Sequence, residues 1–111
     1  MASAISEGAD GWLAKTVSPA SQVVEIVVYT ANTVDDTDTI AIDLANYGGY
    51  TPLGIVGFEH TTDGQVIVTA APTTTVSGST MTITVGGSND NNARAFVIWA
   101  LSYGITWTAL S

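Results

Sequence analysis

Hydrophobic positions alternate with polar or small ones along most of this chain, the mark of half-buried strands. Residues 93–103, ARAFVIWALSY, are the most apolar case and the stretch around which the rest is organised. Ala93, Ala95, Val97, Trp99, Leu101 and Tyr103 fall on one face, and Arg94, Phe96, Ile98, Ala100 and Ser102 on the other. Both faces are mostly apolar, so period alone leaves a short buried helix open. Phe, Val, Ile, Trp and Tyr favour strands, which decides for a central strand lying between two layers. Gly104 breaks or bulges it, and residues 105–110 continue as an alternating piece with Ile105, Trp107 and Ala109 on one side.

The same period marks the other elements. In residues 22–33, Val24, Ile26, Val28 and Thr30 oppose Val23, Glu25, Val27 and Tyr29; Glu25 marks its face as one that reaches solvent, a charged edge or a partner. Residues 39–44 set Ile40, Ile42 and Leu44 against Thr39, Ala41 and Asp43. Residues 46–52, NYGGYTP, predict a turn, because Pro52 has no donor for a central ladder. Residues 53–61 form a strand with Gly54 and Gly57 at bulge or close-approach positions. Asp63-Gly64 predicts a hairpin into the strand that begins at Val66. Pro72 ends that strand, and a second hairpin follows across Ser77-Gly78-Ser79, with Met81, Ile83 and Val85 as its apolar face. Residues 86–92, GGSNDNN, read as a flexible connection. Seven or eight short strands at this spacing predict an all-β fold, a single-domain antiparallel β-sandwich of jelly-roll or Ig-like type over residues 22–111. Residues 1–21 lack the period and read as an extended N-terminal arm, or more plainly as a disordered terminus. Trp12, with Leu13 and Val17, is its candidate anchor on a neighbouring subunit, since tryptophan is common at interface hot spots.

Composition narrows the function. The chain has 111 residues, two basic residues, ten acidic residues and a net charge of −8. A nucleic-acid binder needs basic groups to displace counterions, and an anionic membrane would repel this chain, so neither partner is expected. There is no cysteine, hence no disulfide framework or thiolate metal site. The first ten residues carry Glu7 and Asp10 and no apolar stretch of signal length. No uncharged apolar run is long enough to cross a membrane as a helix.

Candidate chemistry is sparse. Asp35, Asp36 and Asp38, with Asp43 on the next strand, are the densest acidic cluster and would suit a hard cation such as calcium; they do not fit an EF-hand loop, and a solvated loop is the plainer reading. His60 is the single histidine; with no cysteine its zinc partners would have to be carboxylates, and its neighbour Glu59 points to the opposite face of a strand. There is no nucleophile elbow and no other catalytic or cofactor signature, so a non-enzymatic protein is expected. Tyr47 and Tyr50 flank Gly48-Gly49 and are candidates for ligand binding, or for capping one end of the sandwich. Arg94 opens the most apolar strand and would pair with a carboxylate such as Glu25 or Glu59, within or between subunits. The strands carry apolar residues on both faces, which suggests subunit packing.

The run VVYTANTVDDTDTIAIDLANYGGYTPLGIVGFEHTTDGQVIV and the later TMTITVGG resemble small virion proteins of tailed bacterial viruses. The likeness extends from about Val23 to Tyr103 and is one of style and order. It implies a capsid decoration or cement protein, a dimer or trimer seated on the capsid surface. Its partner would be the major capsid protein, with Trp12 and its arm gripping the lattice. Tyr47, Tyr50 and the acidic loop would then face outward or sideways. The alternative is a carbohydrate- or receptor-binding β-sandwich module of a viral fibre. Tyr47, Tyr50 and Trp12 exposed together on one concave surface beside Asp or Asn side chains would favour that reading, whereas a flat apolar patch used in a symmetric interface would favour the structural one. A carboxylate-based hydrolase would need two buried carboxylates facing one cleft.

Overall fold

The computed structural model describes residues 3–19, 23–61 and 66–102. Eight strands follow in order: β1 Trp12–Pro19, β2 Val23–Thr30, β3 Thr39–Asp43, β4 Gly49–Thr61, β5 Val66–Thr69, β6 Thr73–Ser77, β7 Thr80–Thr84 and β8 Ala93–Ser102. They form two antiparallel sheets, β1-β2-β8-β4-β5 and β3-β7-β6. The connections β2 to β3, β3 to β4, β5 to β6 and β7 to β8 each pass from one sheet to the other. A β-sandwich results, as the strand pattern predicts. Residues 93–102 sit at its centre as expected, paired on both sides by β2 and β4.

The apolar period explains the layers. Val24, Ile26 and Val28 of β2 and Phe96, Ile98 and Ala100 of β8 turn inward to meet Ile40 and Ile42 of β3 and Met81 and Ile83 of β7. All are buried. On the far side of the small sheet the register lines up Thr39, Thr84 and Thr73 in one row and Ala41, Thr82 and Thr75 in the next. Hydroxyl rows of this kind keep a sheet face wet without charge. The far side of the large sheet is different: one row is Leu13, Tyr29, Ala95 and Phe58, and the next is Lys15, Val27, Val97 and Val56.

Two expectations change. Residues 12–19, expected within an arm, are the edge strand β1, with Trp12 opposite Thr30 and Lys15 opposite Val27. A shift of register between Thr16 and Ser18 and the charge on Lys15 protect this edge from further pairing. Residues 3–11 also belong to the sandwich: Ala4 bridges Thr39 of the small sheet and Glu7 bridges Trp12 of the large one. The second change is at Pro52, expected in a turn and found in β4. It is tolerated there because β5 pairs only with Phe58–Thr61, so the proline nitrogen is asked for no second ladder, and register shifts flank it. Gly57 is a close-approach glycine as expected, since a Cβ there would lie 2.7 Å from the Ala70 carbonyl oxygen. The β4–β5 pairing agrees with the predicted hairpin. Asp63-Gly64 itself, and Tyr103, Gly104 and residues 105–110, lie outside the described residues.

Candidate functional site

The densest polar constellation is where β8 begins. Arg94 is 1% exposed and Glu59, opposite it on β4, is 3% exposed. Their closest approach, Nη1 to Oε2, is 3.6 Å, longer than a direct hydrogen bond. The loop between β7 and β8 ties the pair together. Ser88 accepts from Arg94 Nη2 through its carbonyl (2.8 Å) and donates to Glu59 through both its N–H (3.1 Å) and its hydroxyl. Asn92 accepts from Arg94 Nη1 through its carbonyl (2.6 Å) and donates to Glu59 through Nδ2 (2.7 Å). Arg94 also donates from Nε to the Gly86 carbonyl (3.0 Å) and from Nη1 to the Val34 carbonyl (3.1 Å).

Burial by itself pushes the Glu59 carboxyl up. The hydrogen bonds from the Ser88 hydroxyl, Asn92 and the Ser88 N–H, with the Arg94 charge, outweigh it and hold the carboxyl below its ordinary value. Gly87 completes the arrangement. Its φ is +102°, and a Cβ there would meet Glu59 Oε1 at 2.6 Å. Pairing of Arg94 with Glu59 was one of the sequence expectations. Burial corrects its companion, a role for Arg94 at an interface: the guanidinium is enclosed by this chain's own carbonyls. Ser88 and Asn92 were not foreseen, because in a loop so rich in polar residues no period singles them out.

The aspartates are spread over separate duties. Asp38 is buried and accepts from the Ser3 N–H and the Asp35 N–H, both at 2.9 Å. Asp43 caps the 3-10 turn Leu44–Tyr47 by accepting from the Ala45 N–H (3.1 Å) and also accepts from the Ser79 hydroxyl (2.6 Å). Asp35 accepts from the Asn91 N–H at 2.8 Å, which locks the β2–β3 loop to the β7–β8 loop. Among the described residues no three histidine or acidic side chains gather where they could hold a metal ion. The expected grouping of Asp35, Asp36, Asp38 and Asp43 is thus not formed, because local N–H and O–H donors take up the carboxylates of Asp35, Asp38 and Asp43. A chelator is accordingly expected to leave the thermal midpoint unchanged in a scanning calorimeter; a fall of several degrees would put an ion back among these aspartates.

The aromatic platform is not assembled either. Trp12 is 5% exposed, packs in this chain's own core and donates from Nε1 to the Ile5 carbonyl at 3.1 Å. That corrects its expected role as an anchor on a neighbour: an indole so placed cannot reach one. Tyr47 packs against the core and donates to Glu7 at 3.2 Å. Burial first, then the Glu7 charge and hydrogen bond, raise the Tyr47 pKa above its ordinary value. Of the three aromatic residues only Tyr50 is exposed. A groove of about 420 Å³ is lined by residues 4–11, mostly small side chains with Glu7 and Asp10 among them. His60 lies on the outer face of the large sheet, opposite Ala93 and Ile67, while its neighbour Glu59 points inward. Among the described residues two carboxylates are buried, Asp38 and Glu59; each is saturated by separate donors, so they do not form the geometry a hydrolase needs. Leu13 and Val17 do remain exposed, on the large sheet's edge strand.

These features define a two-sheet antiparallel β-sandwich whose polar interior is committed to holding its loops. No protein family and no curated protein matches the chain. Among solved structures it is similar to the fibre head protein of bovine atadenovirus type 4, at 17% identity and a TM-score of 0.45, over 82% of this chain and 84% of that one.

Proposed function

We propose that this chain is a non-catalytic virion structural protein, a β-sandwich module of a viral fibre that works as a homo-oligomer. The observation that carries the reading is the use of the polar interior. Arg94, Glu59 and Asp38 all turn their hydrogen bonds to main chain and loop side chains, and among the described residues no buried side-chain polar atom lacks a partner. A catalytic centre keeps such groups aimed at a substrate; a rigid module locks them. The resemblance of residues 23–103 to virion proteins supplies the setting. Capsid decoration leaned on a free arm anchored by Trp12, and residues 3–19 are folded into the sandwich instead. A joint aromatic platform of Tyr47, Tyr50 and Trp12 is not formed either, so the fibre reading is held as a rigid, oligomeric sandwich module and does not rest on such a platform.

Antibody labelling of purified virus particles in the electron microscope tests this. Label at fibre tips is expected. Label spread over the shell would restore the decoration reading, and absence of the protein from particles would overturn both.

A further inference from the structure

We propose that the outer face of the five-stranded sheet is the surface on which a second copy of this chain packs. This rests on the homo-oligomeric part of the reading above and names the face responsible.

The two outer faces of the sandwich differ in kind. Rows of threonine cover the small sheet, whereas the large sheet presents Leu13, Tyr29, Val27, Val97, Val56 and Trp99 side by side on four adjacent strands. Leu13, Tyr29 and Val56 are exposed, and among the described residues no strand of the small sheet lies over this side. The four strands β1, β2, β8 and β4, about 4.8 Å apart and each running for at least about 25 Å, make a face of roughly 500 Å² in projection. That is more than half of the ~800 Å² that each partner contributes to a standard interface.

Charge selects the occupant. The chain carries −8 overall, so two copies repel through most of their surface. Among the described residues this face carries only Lys15 and Glu25 as formal charges, on adjacent strands β1 and β2, and they sum to zero. Glu25 is held in place by a hydrogen bond from Trp99 Nε1 at 3.0 Å. A face with one charge of each sign, side by side on a flat apolar field, complements itself, since turning one copy over the other brings each sign above its opposite. Lys15 is also the chain's only cation outside the buried Arg94, and it lies here.

The test is Val97→Asp, at the middle of the face and pointing away from the sandwich core, read by light scattering on the full chain. The wild type is expected at twice 11.4 kDa and the variant at 11.4 kDa, with self-association weakened by about 100-fold or more and an unchanged β-sheet circular dichroism spectrum. Leu13→Glu, at an exposed position the fold tolerates, is expected to do the same and serves if Val97→Asp fails to fold. Thr82→Asp, on the hydroxyl face, is expected to leave the oligomer intact. An oligomer that survives both Val97→Asp and Leu13→Glu, or dissolves with Thr82→Asp instead, would overturn this assignment while leaving the homo-oligomer standing. A wild-type chain that is monomeric at high concentration would overturn the homo-oligomer itself.

Discussion

Replacing Arg94 with methionine is expected to cost about 3–5 kcal/mol, because it leaves the buried Glu59 carboxylate without its cation. Small domains have only about 5–15 kcal/mol in total. At roughly 4–8 °C per kcal/mol, the midpoint should fall by about 12 °C or more. The loss has two parts. Four carbonyls, on Gly86, Val34, Asn92 and Ser88, lose their donor, and the Ser88 and Asn92 bridges lose one of the two ends they join. Lysine is a poor substitute, since a point charge cannot address four carbonyls from one plane. Arg94→Met with Glu59→Met is expected to recover much of the loss, because the cost lies in the uncompensated charge. Urea unfolding checks all three; a loss below about 1 kcal/mol for Arg94→Met would mean that the loop holds without the guanidinium. The same network gives an acid limit. Glu59 has a folded pKa below its unfolded value, so its contribution is complete above the unfolded value and is lost as pH falls through the folded one. Stability should therefore decline below the ordinary carboxylate range near about pH 4, and in Glu59→Gln that part of the decline should be missing.

Replacing Trp12 with alanine is expected to cost about 3–5 kcal/mol in the isolated chain, the usual range for removing a large buried aromatic. The side chain fills the corner where β1 starts, against the common core, and its Nε1 holds the Ile5 carbonyl. Its loss should also loosen residues 3–11, which run from Trp12 to Thr39. An anchor on a neighbouring subunit would behave the other way, weakening assembly while the monomer melted at its usual temperature. Measuring the thermal midpoint and the mass of the same variant separates the two. A chain begun at Ser18 would lack most of β1 and should fail to fold, where removal of a mere arm would leave the sandwich whole.

The strands of this protein were legible in its sequence wherever one face met the core and the other met water. β2, β3 and β7 alternate cleanly, and the structure buries the residues the period assigns to the inside. β1 was missed because its inward positions are Trp12, Ala14 and Thr16, only one of them large and apolar. Without a run of aliphatic side chains the period two is present but faint. Pro52 misled for another reason: its cost depends on whether a second strand needs the missing donor, and strand order is not written in local sequence. The site was less legible than the fold. Glu59 and Arg94 stood out as rare charges in apolar surroundings, but their bridging through Ser88 and Asn92 depends on how one loop closes over them. The aspartates looked like a cluster because they are close in sequence; the structure assigns Asp35 to a loop clasp, Asp38 to the N-terminal segment and Asp43 to a helical turn.

The scarcity of basic residues has a consequence for how the chain is taken apart. A protease that cuts after lysine or arginine has just two addresses, Lys15 and Arg94. Both lie within strands. Arg94 is sealed between β2 and β4, so cutting there requires the whole sandwich to open; Lys15 sits on an edge strand, so cutting there requires only that β1 peel away. The order in which the two bonds are lost would separate fraying of that edge from collapse of the core.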